Sequence, residues 1–488
     1  MSARGYHEIM KQPAHSPTTP SFIAYHARLG NQAAIEVAGG MVSYAQLGKD
    51  IDLAARYLAH HQLGYQDLLV VGLSDAYLHL VFVLAGELLG LLSCSIQMSE
   101  DVLPVDVMAG ARMVLGEASA LPVACAYHSL SLQWREVAKA AGPAPSVALQ
   151  ETDSMRLVRS SGTTGTPKKI VIRRDRQARW LAYLAFSAGY GPQMRLYVAA
   201  PFPVNAFYMR AVLCLRLGGR LLMGGLSMLS RATHTWMLPS TLDHVMDELP
   251  AGFVKPERLE ISTAGAALAA ATRLRVSGAL ATSIVNSYGS NEVGPVCTMT
   301  EDAKGVVVPG TEVQIVDEHD RVVPLGTPGQ LRARNAIMAD GYLDNEEATA
   351  ERFKEGWFYP GDEAVMVAPG ELRLVGRIDD MLNFAGFKHR PEEVEATLKS
   401  LAGVQDAAAL TDLNHEGQVT LYLALVLEPG VSTDTVASAV RSALKLPVKQ
   451  MVVRQFSALP RTSTGKLRRK ALLPYFLNPK PTGETPQA

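Results

Sequence analysis

Ser160-Ser161-Gly162-Thr163-Thr164-Gly165-Thr166-Pro167-Lys168 is the stretch on which the fold of this chain turns. It follows a strand-like run, Met155-Arg156-Leu157-Val158. Glycines let the main chain approach an anion, and the hydroxyls with Lys168 supply donors and charge for phosphate oxygens. The GxxxxGK[ST] spacing of a Walker A loop is absent here. A Ser/Thr/Gly surface loop is the plain alternative, and the loop alone does not choose between the two.

On both sides of it, short strand patterns alternate with helical ones. Residues 33–38, 68–73, 195–200 and 283–285 predict strands; 44–60, 77–92 and 268–279 predict helices. This alternation argues for α/β layers around largely parallel sheets. From Glu312 the texture changes to short strands around Val313–Val316, Gly329–Arg332 and Leu372–Val375, separated by Gly and Pro turns, as in a small β-barrel. Residues 376–380 turn polar and predict a hinge. Beyond them lies a compact α+β pattern, in which Pro391-Glu392-Glu393-Val394-Glu395 starts a helix with Pro and acids in its first turn. Val394, Leu398 and Leu401 then share one helical face, and 421–427 predicts an apolar strand. The last residues, NPKPTGETPQA, offer nothing apolar to fold around.

The chain has 488 residues, enough for two to four structural units. Its 46 Lys+Arg nearly cancel its 47 Asp+Glu, so no global field recruits nucleic acid or an anionic membrane, and neither is expected as a partner. The N-terminal residues lack the apolar core of a signal peptide. The most apolar run, 78–92, is too short to span a bilayer and carries His79 and Glu87, so it predicts a buried helix. Cys94, Cys125, Cys214 and Cys297 are far apart, which suits a reduced cytoplasmic protein without disulfides or a zinc site.

Five motifs in order then identify a resemblance. Ser160-Ser161-Gly162-Thr163-Thr164-Gly165 resembles the phosphate loop of the adenylate-forming superfamily of acyl- and aryl-CoA synthetases, peptide-synthetase adenylation domains and luciferases. Asn286-Ser287-Tyr288-Gly289-Ser290-Asn291-Glu292 resembles its YGxTE motif, and Gly356-Trp357-Phe358-Tyr359-Pro360-Gly361-Asp362 its W(Y/F)xTGD motif. Gly376-Arg377-Ile378-Asp379-Asp380 through Gly386-Phe387-Lys388 resembles GRxDDxIKxxGxR, and Pro460-Arg461-Thr462-Ser463-Thr464-Gly465-Lys466 resembles PRTxxGK. Together these span more than 300 residues of the chain.

The resemblance implies a large N-terminal adenylation domain over residues 1–376, built from two αβ-layered sheets and a small β-barrel. A hinge at 377–380, a small mobile α+β C-terminal domain at 381–478 and a loose tail at 479–488 would follow. It implies ATP-dependent activation of a carboxylic acid to an acyl-adenylate, then transfer to a thiol. That thiol belongs to coenzyme A or to the phosphopantetheine of an acyl or aryl carrier protein. Ser160, Ser161, Gly162, Thr163, Thr164, Gly165, Lys168, Tyr288, Gly289, Asn291, Asp362 and Arg377 would hold ATP and AMP. Glu292 would hold Mg2+, whose charge offsets that of the phosphates. Asp362 and Arg377 would face the ribose, and Tyr288 the adenine. Lys466 would contact both the acid and phosphate oxygens as the catalytic lysine. Asp379 would be the hinge and Gly386 would line the thiol tunnel. Taken singly, Glu292 reads as a surface acid, Tyr288 as a core tyrosine, Gly386 as a turn glycine and Lys466 as part of a basic tail.

Three departures stand out. Asn291 replaces the usual hydroxyl residue of YGxTE, and Asn383 stands where Lys is frequent. Pro203, before Val204-Asn205-Ala206, occupies the place of a gating histidine in acyl-CoA synthetases. Amino-acid-activating relatives often carry Phe-Asp where this chain has Phe202-Pro203; without that carboxylate, burying an ammonium is costly, which disfavours α-amino acids. A pocket from Phe202, Phe207, Ala264, Gly265, Ala266, Ser287 and Ser290 suits an aryl or short-to-medium acyl acid. Intact Lys466, Glu292 and Asp362 speak against a nucleotide-binding regulator without turnover, and nothing specific points to an oxygenase.

Overall fold

The computed structural model describes residues 18–477, apart from 31, 38, 99–103, 118–124, 161–166, 188, 267, 303, 379–381, 385–386, 390, 414–418, 434–435, 437–450 and 462–466. The helix Tyr44–His60 forms as its sequence dictates. Ser43 sits before it in an extended conformation and accepts from Gln46 N, and Leu47, Ile51, Ala54 and Leu58 bury one face. The apolar helix is Ala76–Leu88, capped by Asp75, which accepts from Leu78 N at 2.9 Å. It stops four residues short of the expected 92 because Gly90 turns the chain at φ +67°, a left-handed conformation that releases Leu92–Ser95 into a strand. Its two polar residues are buried and engaged. Glu87 accepts from Thr19 N at 2.8 Å and from Arg216 at 3.3 Å, and His79 Nδ1 lies 3.1 Å from the Leu73 carbonyl.

Among the described residues, two sheets carry the large N-terminal part. The first has six strands in the order Tyr127–Ser129, Met113–Gly116, Leu68–Val71, Leu92–Ser95, Ser154–Arg159, Lys169–Arg173. Five are parallel, and the last pairs antiparallel with its neighbour, so the loop after Arg159 is a hairpin tip. The second has fifteen strands. Its parallel part runs from Ala33–Val37 through Arg220–Met223, Arg195–Tyr197, His234–Trp236 and Glu260–Ala264 to Ser283–Ser290. The expected strand 195–200 ends at Tyr197, ahead of Pro201, whereas 283–285 extends to Ser290. The short strands predicted as a small barrel are hydrogen-bonded in continuity with this second sheet: Gly294–Met299, Gly305–Val307, Glu371–Arg377, Asp362–Ala368 and Pro328–Asn335 follow one another antiparallel, beginning beside Ser283–Ser290. The largest core cluster joins the helices of the first sheet to those of the second, with Phe82, Leu84, Phe202, Phe207, Val212 and Leu221 among its members.

Among its described residues the C-terminal part has a hairpin, Leu382–Phe384 with Phe387–His389, and a three-stranded sheet. In the sheet Val404–Leu413 pairs antiparallel with Val419–Leu427, which pairs parallel with Met451–Gln455. Strand alternation splits its apolar residues between two cores. Ala407, Ala409, Leu421, Leu423 and Leu425 bury against Val394 and Leu398 of the helix Pro391–Lys399, while Ala408, Leu410, Tyr422 and Ala424 bury against Leu472 and Phe476 of Arg469–Leu477. Among the described residues no helix is long and apolar enough to cross a membrane.

Candidate active site

The glycine- and threonine-rich loop sits at the tip of the Ser154–Arg159/Lys169–Arg173 hairpin. Its two ends are tied: Ser160 N donates to the Lys168 carbonyl at 2.8 Å, and Lys168 N donates to Ser160 Oγ at 3.2 Å. Of the residues expected to bind nucleotide, Ser161, Gly162, Thr163, Thr164 and Gly165 lie outside the described residues, as do Asp379, Gly386 and Lys466. The chain on either side of Lys466 is pinned by a bridge between Arg461 and Leu467 and by Arg468 N donating to the Pro460 carbonyl at 2.8 Å.

Lys168 leads to a second expected residue through one the sequence did not single out. Its Nζ stands 4.9 Å from the centre of the Tyr342 ring, and the Tyr342 hydroxyl donates to Glu292 Oε1 at 3.1 Å. Glu292 is buried, 7% exposed. Burial, then the Glu292 charge, pushes the Tyr342 phenol up, which keeps it a donor at any ordinary pH. The main chain around Glu292 is held by Arg176, also unforeseen. Its guanidinium donates to the Asn291 carbonyl at 2.5 Å, to the Glu292 carbonyl at 3.0 Å and to the Ile337 carbonyl. Burial pulls the Arg176 pKa down to about 10, with Glu292 opposing, so the side chain stays charged at neutral pH. Asn291 Oδ1 accepts from Asn205 at 3.4 Å. Neither Arg176 nor Tyr342 lies in a recognisable motif; each reaches the Asn291–Glu292 turn only through tertiary closure.

Tyr288, Asp362 and Arg377 come together as a second group. Asp362 and Arg377 are opposite partners on antiparallel strands, the Tyr288 hydroxyl donates to Asp362 Oδ2, and Arg377 donates to the Pro360 carbonyl at 2.7 Å and to Asp362 at 3.4 Å. Burial and then the Asp362 charge raise the Tyr288 phenol well above its ordinary range. Gly289 is required by close approach: a Cβ there would lie 2.3 Å from the Gly294 carbonyl oxygen.

The expected acid-pocket residues fall in two sets. Ala264, the last residue of its strand, is the register partner of Ser287 on the neighbouring parallel strand and is followed by the exposed Gly265 and Ala266; Ser290 Oγ accepts from Glu292 N at 3.3 Å. Phe202 and Phe207 are buried, 3% and 0% exposed, their ring centres 5.8 Å apart, and Ala264 packs against the same core cluster. Phe207 therefore lies wholly within the core. On the opposite face of the strands from Ala264 and Ser287, the partners Thr263 and Asn286 are buried. Thr263 Oγ1 and Asn286 Oδ1 have no hydrogen-bond partner among the described residues, a polar pair suited to a base edge.

One buried carboxylate held by a tyrosine suits a magnesium ion coordinated mainly by phosphate oxygens. Among the described residues no group of three or more His, Cys, Asp or Glu stands together as an all-protein metal cage.

The profile of the AMP-binding enzyme family matches residues 22–343. Isonitrile lipopeptide synthase of Streptomyces coeruleorubidus is 27% identical over 522 aligned positions, covering 94% of this chain and 34% of that protein. Long-chain-fatty-acid–CoA ligase of Escherichia coli is 30% identical over 197, covering 39% of this chain and 35% of the ligase. This chain thus matches about a third of the length of these relatives. The fold matches O-succinylbenzoate coenzyme A synthetase of Bacillus subtilis in complex with ATP and a magnesium ion, with TM-score 0.78, 19% identity and coverage of 92% and 98%.

Proposed function

We propose, from the premise that this chain belongs to the AMP-binding enzyme family, that it activates a carboxylic acid with ATP and passes the acyl group to a thiol. The observation that carries this is the linked arrangement Lys168–Tyr342–Glu292, which joins the end of the glycine- and threonine-rich loop to a buried carboxylate on the turn that follows Tyr288, itself bonded to Asp362. In the first half-reaction a carboxylate oxygen of the acid attacks the α-phosphorus of ATP, and the bond to pyrophosphate breaks. Lys168 and the loop hydroxyls bind the phosphates, and Lys466 orients the attacking oxygen and stabilises the charge that develops at phosphorus. Glu292, fixed by Tyr342 and Arg176, would hold a magnesium ion that neutralises phosphate charge. Asp362 accepts from the ribose hydroxyls, and Asn286 with Thr263 meets the adenine edge. In the second half-reaction the thiol sulfur attacks the acyl carbonyl and AMP leaves. Asp379 serves as the hinge and Gly386 as the passage for the thiol arm, with residues 381–478 moving between the two steps.

The acid is an aryl or short-to-medium acyl acid and the acceptor is coenzyme A. A carrier-protein phosphopantetheine is the second reading, favoured by the lipopeptide synthase that matches 94% of this chain. Acid-dependent ATP–pyrophosphate exchange across aryl, short-chain and fatty acids tests the first step; no exchange with any of them sinks the proposal. Thioester formation from one accepted acid, with coenzyme A and a carrier protein side by side, chooses the acceptor.

A further inference from the structure

A cavity of about 320 Å3 opens where the first sheet meets the Ala200–Pro203 segment, lined by Gly72, Ala76, His79, Gln97, Glu117 and Phe202 among others. Phe202 belongs to two neighbourhoods. Its ring centre is 5.8 Å from that of Phe207, in the cluster that Ala264 joins, and 5.7 Å from that of His79, which lines the cavity. The ring has little freedom to leave. Pro201 and Pro203 flank Phe202 and restrict its backbone. Its carbonyl accepts at 2.5 Å from Arg156, a buried guanidinium that lies 3.6 Å over the Tyr208 ring.

We propose that Phe202 is the partition that sets the length limit of the acid, and that the cavity behind it receives the distal end of a longer acid once the ring is removed. This rests on the carboxylic-acid reading above. The chemistry of the chamber is specific. The Leu73 carbonyl can only accept, so His79 Nδ1 carries the proton and Nε2 bears the lone pair. That Nε2 is buried and has no hydrogen-bond partner among the described residues. Glu117 adds a carboxylate, and none of the described lining residues is Lys or Arg. The chamber therefore prefers a tail ending in a donor such as a hydroxyl, accepts an alkyl end less well and rejects a second carboxylate.

The experiment is ATP–pyrophosphate exchange with straight-chain acids of increasing length, ending in methyl, hydroxyl or carboxylate, on wild type, Phe202→Ala and Phe202→Val. Wild type should lose activity beyond a compact acid. The variants should gain roughly fourfold in kcat/KM for each methylene that enters the cavity, with ω-hydroxy above alkyl and α,ω-diacids inactive. Phe202→Val keeps enough side chain to report if Phe202→Ala does not fold. Adding Ala76→Leu, which puts a larger side chain at another lining position of the cavity, should reverse the gain while leaving exchange with the compact acid intact. A folded Phe202→Val with no gain for longer acids overturns the partition, and so does a gain that Ala76→Leu leaves in place. A wild type inactive with every acid overturns instead the activity on which the inference rests.

Discussion

Tyr342→Phe removes one oxygen and leaves the ring over which Lys168 stands, so it tests the Tyr342–Glu292 hydrogen bond almost alone. Glu292 is 7% exposed, and its Oε1 would lose a donor at 3.1 Å with little water to replace it. A hydrogen bond to a buried charged group is worth about 1.5–3 kcal/mol. If the carboxylate must be held in place for pyrophosphate to leave, that converts to about a 10- to 150-fold fall in exchange rate. The assay is ATP–pyrophosphate exchange at saturating acid, with ATP and magnesium titrated separately and a thermal melt run alongside. Expected are a raised magnesium requirement and a slower maximal rate in a protein that still melts cooperatively. Exchange within twofold of wild type at unchanged magnesium dependence would refute the reasoning, because the bond would then be structural decoration on a residue that does not meet the nucleotide.

Lys466→Ala should lower exchange by about 100-fold or more while ATP binding measured by calorimetry persists; full activity would remove the lysine from the chemistry. Asp362→Asn keeps the shape but weakens an acceptor that faces Tyr288 and Arg377, so KM for ATP should rise about tenfold with the acid KM unchanged. His79 is buried, and burial holds its pKa down at about 4 against an ordinary value of 6.5. The unfolded chain takes up this proton first, so the neutral ring's contribution is intact above pH 6.5 and lost as pH falls toward 4. Over that window the loss amounts to about 3 kcal/mol. Denaturant melts at pH 7 and pH 4 should differ less by that amount in His79→Leu; an equal pH dependence in the two proteins would show that His79 is not the group responsible.

Where local chemistry decides structure, the sequence foretold it. Ser43 before a 3.6-residue apolar repeat produced the helix Tyr44–His60, and the unbroken apolar run 421–427 produced a strand whose two faces are both buried. Three motif residues likewise landed beside one another, with Tyr288, Asp362 and Arg377 brought together from segments 74 and 15 residues apart. Arg176 and Tyr342 were illegible because their work is done on carbonyls and carboxylates more than forty residues away, and neither has a local signature. The cavity beside Phe202 was illegible for a related reason: it is bounded by strand ends of one sheet and a loop of the other, and its shape exists only once the two sheets meet. The overrun of the apolar helix to 92 shows periodicity yielding to a single glycine, since Leu91 and Leu92 continue the hydrophobic pattern past the turn that Gly90 makes.

The two-faced core of the C-terminal sheet has a practical meaning. Because each face of those three strands is closed by a helix from the same stretch of chain, the segment beginning near Leu382 carries its own complement of buried surface. It is in effect a cartridge. Expressed separately, it should fold and be available to complement the remainder of the chain in trans, so that the two halves of the reaction can be assembled from two polypeptides.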